Sequence, residues 1–241
     1  MNIFITGTDT GVGKTVVTAG LAAIMQSLGY AMGVYKPVQS GAKEKNGELI
    51  APDLEFVNSI DANIRTKVSY NFSPPVAPSL AAILENTKVY KNRIKIDYEN
   101  LKENCDFVIT EGAGGLLVPV TDKFMIRDLA KLLGLPVLIV ARPNLGTINH
   151  TLLTIEAARS VGLDVLGVII SNYPSGTNDI AIKTAPDIIM ELSGVKVFGT
   201  LPMVKEVCFN EPGKPEALID TMINNIDVQE IFNIKIPKLA L

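Results

Sequence analysis

The stretch Gly7-Thr8-Asp9-Thr10-Gly11-Val12-Gly13-Lys14-Thr15, directly after the apolar run Ile3-Phe4-Ile5, constrains this chain more than any other part of it. Gly13-Lys14-Thr15 is the end of a phosphate-binding loop. Its glycines let backbone N–H groups turn inward around a triphosphate, its lysine neutralises charge, and its threonine hydroxyl is suited to ligate Mg²⁺. Residues 16–28 read as a helix whose positive end faces the same anion. The chain therefore begins as strand, loop and helix. The spacing is irregular. The common loop has a glycine five residues before Gly13, but here that position is Thr8 and Gly7 lies one residue further out.

Short β-branched runs recur at 3–6, 31–35, 107–110, 137–141, 165–171 and 197–200, and most are apolar at nearly every position. That is the pattern of strands covered on both faces of a parallel sheet. Helix-like segments fall between them at 15–28, 53–59, 95–104, 126–133, 147–161 and 179–192. The alternation predicts a single P-loop NTPase-like α/β domain over 1–241, with a doubly wound, mostly parallel sheet and helices on both faces. The proline-rich stretch from Asn71 to Ser79 reads as a surface or substrate-facing loop rather than a domain boundary, because the α/β pattern resumes after it. Ligands of such sheets sit beyond the carboxyl ends of the strands.

The 241 residues are 47% apolar and 20% charged, as in ordinary globular proteins. A net charge of -3 argues against a nucleic-acid surface. The densest basic stretch, Lys88, Lys91, Arg93 and Lys95, reads as a solvated face. Cys105 and Cys208 lie far apart with no metal-ligand spacing around them, which fits a reducing compartment. The chain enters a strand almost at once, which predicts no signal peptide, and apolar runs such as 135–141 fall short of the ~18 residues a membrane span requires. The expectation is a soluble, cytoplasmic protein.

Several residues sit where ligand chemistry is expected. Lys36 stands at the carboxyl end of the second strand, and Ser40-Gly41 then offers a hydroxyl and a permissive backbone for a small polar substrate. A lysine escaping to solvent is the plain alternative. Asp53, after Pro52, suits either helix capping or metal binding. Glu111 ends the apolar strand at 107–110 and precedes Gly112-Ala113-Gly114-Gly115, the arrangement of an acid that holds Mg²⁺ beside a glycine turn. Thr15, Asp53 and Glu111 together supply the hard oxygen donors that Mg²⁺ prefers. The run Leu145-Gly146-Thr147-Ile148-Asn149-His150 opens a helix whose N–H groups suit a carboxylate, and its lone histidine reads as structural. Asn172, after the strand at 165–171, carries an amide that matches a nucleobase edge, or is an ordinary turn residue.

Four of these motifs, taken in order, resemble the dethiobiotin synthetase family. They are Thr6 to Thr15 with its stretched glycine spacing, Tyr35-Lys36-Pro37-Val38-Gln39-Ser40-Gly41, Glu111 to Gly115, and Leu145 to His150. The resemblance covers most of the chain. It implies an ATP- and Mg²⁺-dependent carboxylase and cyclo-ligase of biotin synthesis, acting on 7,8-diaminopelargonic acid and CO₂. In the family's mechanism one amine captures CO₂ as a carbamate, ATP phosphorylates it, and the neighbouring amine closes a cyclic urea, giving dethiobiotin, ADP and phosphate. By the same resemblance Lys36, Lys14 and Thr10 are catalytic, and Thr15, Asp53 and Glu111 hold Mg²⁺. Gly11, Val12, Gly13, Lys14, Thr15, Asp53 and the run Glu111, Gly112, Ala113 and Gly114 meet the nucleotide, with Asn172 and Pro202 at its base. Ser40 contacts substrate. Family members are homodimers, and Gly146, Thr147, Ile148 and Asn149 would hold the substrate carboxylate at a neighbouring subunit's site.

Three positions depart from one branch of the family. Gly11 stands in place of glutamate, Tyr173 in place of aspartate, and the stretch after Pro202 aligns poorly. Two other readings compete. Switch ATPases of the partitioning and electron-transfer type carry a second lysine five residues before Lys14, where this chain has Asp9. The amidating synthetase of corrin rings needs an attached glutaminase with cysteine and histidine, and this chain has one histidine.

Overall fold

Both faces of the inner strands are apolar, and the fold buries both. The computed structural model describes residues 1–204 and 214–235, so Cys208 lies outside the described residues. In chain order the first elements are β1 (Ile3–Gly7), α1 (Lys14–Ser27), β2 (Met32–Ser40), β3 (Lys43–Lys45), β4 (Glu48–Ile50), α2 (Pro52–Ile60) and β5 (Arg65–Phe72). They are followed by α3 (Pro78–Leu84), α4 (Lys91–Lys102), β6 (Phe107–Gly115), β7 (Pro119–Thr121), β8 (Phe124–Met125) and α5 (Ile126–Leu133). The last are β9 (Val137–Ala141), α6 (Thr147–Arg159), β10 (Val165–Tyr173), α7 (Ile180–Ser193), β11 (Val197–Pro202), α8 (Pro215–Asn225) and α9 (Val228–Phe232).

Seven strands form one parallel sheet in the order β11-β10-β9-β1-β6-β2-β5. Alternation along β1 sends Ile3 and Ile5 into one core, with α1, α2, α8 and α9, and Phe4 into the other. In β9, Leu138 and Val140 join the first core while Val137, Ile139 and Ala141 join the second, which α3 to α7 cover. This is the doubly wound arrangement that the sequence predicts.

Two strands run further than the sequence suggests. The run at 31–35 continues as β2 to Ser40, because residues from Gly33 to Ser40 pair with β5, an edge strand not anticipated from the apolar runs. Lys36 therefore lies in the middle of a strand rather than at its carboxyl end. The run at 107–110 continues as β6 through Gly115, with Gly115 paired to Gly7 across an irregularity in the ladder. Glu111 is thus inside β6, and the expected glycine turn is strand. Asn172 lies within β10 at a break in register with β11, with a left-handed φ of 55°. Of the stretch from Asn71 to Ser79, the first two residues belong to β5 and the last two to α3. The basic stretch lies at the start of α4, where Lys91 and Arg93 cover the rings of Phe124 and Tyr70.

Among the described residues no helix is long and apolar enough to cross a membrane. Ile139 is fully buried at the middle of the sheet. Ile139→Ala is expected to lower the unfolding free energy by roughly 2–5 kcal/mol at unchanged m-value in urea. A loss under about 1 kcal/mol would contradict the close packing described for this core.

Candidate functional site

The displaced glycine has a steric reason. A Cβ on Gly7 would come within 2.7 Å of the Asp9 carbonyl oxygen and 2.8 Å of Val12 Cγ2, so the loop folds back over the end of β1 only with glycine there. Thr8 N–H donates to the Val140 carbonyl at 2.9 Å, which ties the loop to β9. Gly13 caps α1 with a left-handed φ of 99°, and no side chain caps the helix. A Cβ on Gly13 would strike Ser171 Oγ and lie 3.6 Å from Asn172 Nδ2, so the loop passes directly over the end of β10. The first N–H groups of α1 are thereby left facing the carboxyl edge of the sheet.

Lys14 is the first residue of α1, and its Nζ donates to the Asp9 carbonyl at 3.3 Å. Burial pulls its pKa below the ordinary lysine value, an effect that the Glu111 carboxylate partly offsets.

Across the cavity, Lys36 is 3% exposed and its ammonium is held by three oxygens. Asp53 Oδ2 lies at 2.5 Å, Glu111 Oε1 at 2.8 Å and the Gly112 carbonyl at 3.2 Å. Glu111 Oε1 also accepts from Thr15 Oγ1 at 2.9 Å. Burial alone would lower the Lys36 pKa, but Glu111 and Asp53 outweigh it and hold the pKa above its usual value. Burial likewise pushes Asp53 up, and the Lys36 ammonium overcomes this to hold its carboxyl below the usual carboxylate range. Asp53 is the second residue of α2, whose cap is Ala51, so its carboxylate serves the cluster rather than a side-chain cap.

These groups border one cavity of ≈ 650 Å³ at the carboxyl edge of the sheet. From the phosphate loop come Thr10, Gly11, Gly13, Lys14 and Thr15. Lys36, Ser40, Asp53 and Glu111 form the charged and polar wall, with Ala113, Gly114 and Asn172 beyond them. Several sequence-predicted residues lie outside the lining. Val12 is buried beneath the loop, and Gly112 reaches the site through its carbonyl on Lys36. Pro202 ends β11 opposite Tyr173.

Gly146, Thr147, Ile148 and Asn149 form the cap and first turn of α6, and they do not line the cavity of their own chain. His150, in the same turn, meets the Arg142 guanidinium through Nδ1 at 3.0 Å, and Arg142 lies 3.6 Å from Asp9. The histidine therefore has a side-chain partner within its own chain. Sequence reasoning assigned no role to Gln39, Val16 or Val118, which also line the cavity. Pro75, Val76, Ala77 and Pro78 supply an apolar wall, so the proline-rich stretch does face the site.

A family model described as an AAA domain matches residues 1–211. The chain is 36% identical over 241 residues to a protein of Thermodesulfovibrio yellowstonii named ATP-dependent dethiobiotin synthetase BioD, covering 96% of this chain and 98% of that one. It is 43% identical over 199 residues to the Bacillus cereus (strain B4264) protein of the same name, covering 83% of this chain and 82% of that one. The chain belongs to the dethiobiotin synthetase family. Membership places it among ATP-dependent ligases. Among solved structures it is similar to the MinD cell division protein of Aquifex aeolicus, with TM-score 0.59, 16% identity and 98% coverage of both chains. The cell division ATPase MinD of Pyrococcus furiosus gives TM-score 0.60 at 17% identity, covering 97% of this chain and 99% of that one. At such identities the likeness shows the shared fold alone.

The ion cluster has a pH signature. Because the Asp53 pKa is depressed, its stabilisation is complete above the unfolded value of about 3.9 and is lost as pH falls through the lower folded value. Because the Lys36 pKa is raised, its share is complete below about 10.4 and is lost as pH rises through the higher folded value. Lys36→Met leaves two carboxylates unpaired and is expected to cost roughly 3–5 kcal/mol of stability at neutral pH. In urea unfolding that deficit should shrink in acid, as the Asp53 carboxyl takes up its proton. A deficit constant across pH would contradict the pairing.

Proposed function

We propose that this chain carries out the ATP- and Mg²⁺-dependent carboxylation and ring closure of 7,8-diaminopelargonic acid with CO₂, giving dethiobiotin, ADP and phosphate. The observation that carries the reading is the meeting of Lys14, Lys36, Thr15, Asp53 and Glu111 at one cavity, which also has a polar corner at Ser40 and an apolar wall at Val76 to Pro78. The cluster suits phosphoryl transfer, and the wall suits a methylene chain.

In the proposed sequence one neutral amine of the substrate attacks CO₂ and loses a proton, giving a carbamate. A carbamate oxygen attacks the γ-phosphorus of ATP and ADP leaves, giving a carbamic–phosphoric anhydride. The second amine attacks the anhydride's carbonyl carbon, phosphate departs, and the five-membered urea closes. Every group in transit is anionic, so the chain's task is positioning and charge stabilisation. Lys14, beside the phosphate loop, neutralises the transferring phosphoryl group from one side. Lys36 does so from the other, and Thr10 borders the reacting oxygens. We assign the base to Asn172, whose amide lies near Gly13 of the loop, and to Pro202 at the end of the neighbouring strand.

The donor set fits a hard cation. Thr15 Oγ1 is bonded to Glu111 Oε1, and Asp53 converges with Glu111 on a single cationic group. Two carboxylates and a hydroxyl, completed by phosphate oxygens and water, are what Mg²⁺ favours. When bound, Mg²⁺ supplies charge neutralisation to the nucleotide phosphates. Gly146 to Asn149 lie off their own chain's cavity beside Leu145, which is 88% exposed, and this supports a homodimer in which the α6 terminus reaches a neighbour's substrate carboxylate. A cytoplasmic location fits these small soluble substrates.

Incubation with diaminopelargonic acid, bicarbonate and Mg·ATP is expected to yield dethiobiotin by mass. ATP hydrolysis without cyclised product would favour a nucleotide switch instead. Glu111→Gln is expected to raise the Mg²⁺ concentration for half-maximal turnover by about tenfold or more, as for loss of a carboxylate ligand. An unchanged Mg²⁺ titration would remove Glu111 from the ligand set.

A further inference from the structure

An acid inside a loop built to receive a triphosphate needs a physical reason. Asp9 stands between Gly7 and Lys14, and its negative charge opposes the anion that the loop is shaped to hold. Asp9 does not line the cavity, although its neighbour Thr10 does. Its carboxylate is directed at the residue after β9. Oδ1 accepts from the Thr10 backbone N–H at 2.7 Å, and Oδ2 lies 3.6 Å from Arg142 Nη1. Among the described residues this is the one ion pair of Asp9.

Arg142 is itself held in place. It directly follows β9, two residues after the Val140 carbonyl that receives the Thr8 N–H at 2.9 Å. Its Nη2 meets His150 Nδ1 at 3.0 Å. A guanidinium only donates, so Nδ1 is the acceptor and the ring proton sits on Nε2. One side chain thus joins the phosphate loop, the end of β9 and the first turn of α6. Asp9 also reaches Lys14, because its carbonyl accepts from Lys14 Nζ at 3.3 Å. Burial lowers the Lys14 pKa, and the Asp9 carboxylate is among the charges that oppose this. The acid is therefore felt at the lysine that neutralises phosphate. With Arg142 38% and Asp9 53% exposed, the pair adds little to stability. Its consequence lies in where the charge is held. We propose that Arg142 is a positioning residue of the nucleotide site, neutralising the Asp9 carboxylate and holding it at the end of β9 so that Lys14 is left to the phosphates. The inference rests on the loop holding a nucleoside triphosphate, not on the acceptor proposed for the phosphoryl group.

Calorimetry of the full chain with Mg·AMPPNP, an ATP analogue that is not hydrolysed, tests this. Arg142→Gln is expected to weaken binding about fivefold or more, the size of a coupling within one ion-pair network. The ratio to wild type should shrink toward one at about 1 M NaCl, where exposed charges are screened. Asp9→Asn keeps the acceptor for the Thr10 N–H and removes the charge. Added to Arg142→Gln, it is expected to restore affinity to within about twofold of wild type, and Arg142→Lys, which keeps the cation, should stay within the same margin. The urea midpoint of Arg142→Gln should match that of wild type. Unchanged affinity in Arg142→Gln overturns the inference, and so does a loss that Asp9→Asn leaves in place. A fallen urea midpoint, or failure to fold, would make Arg142 structural and overturns it as well. The functional reading is tested apart. A chain that binds Mg·AMPPNP as described yet makes no dethiobiotin loses that reading and keeps this one.

Discussion

The buried ammonium of Lys36, held between Asp53 and Glu111, is the interaction on which the site depends. A lysine buried this deeply is tolerable only with close anionic partners, and each partner is in turn tolerable only beside the lysine. The cluster joins β2, α2 and β6, and through Thr15 it reaches the first turn of α1. Four elements thus share one electrostatic constraint. It places two carboxylates and a hydroxyl together at the edge of the sheet, with a second lysine facing them from the phosphate loop.

That arrangement is possible because the sheet is parallel and covered on both sides. Apolar strands such as β1 and β9 anchor the centre, and every strand delivers its carboxyl end to the same edge. Glycine is needed where backbone must pass close by. Gly7 lets the loop return over its own strand, and Gly13 lets it cross Ser171. The phosphate loop is therefore shaped by its contacts with β9 and β10 as much as by its own sequence.

The inner strands and their helices were legible because an apolar run covered on both faces has a plain signature. Helix α5 and strand β9 fall at the residues the sequence predicts, and α1, α6 and α7 are displaced by at most two residues at either end. β5 was not legible. Arg65, Lys67 and Asn71 give it the polar look of an edge strand, and only its pairing with β2 reveals it. Missing β5 hid the length of β2 and so the place of Lys36 inside it. Helix α8 buries only Leu218 and Met222, too narrow a stripe to read with assurance. The site residues were legible as motifs, but their pairing was not. Spacing along the chain cannot tell that Asp53 and Glu111 share one ammonium.

The fold is shared with the cell division ATPase MinD, so fold alone does not decide between hydrolysis and synthesis. Family membership and the cavity's chemistry point to synthesis, with Asp9 standing where a switch ATPase carries lysine. The fate of oxygen separates the two directly. With the diamine and Mg·ATP present, freshly added C¹⁸O₂ should place one ¹⁸O in the inorganic phosphate, because a carbamate oxygen becomes the bridge that phosphate carries away. Phosphate that takes its oxygen from labelled water and none from CO₂ would contradict this account.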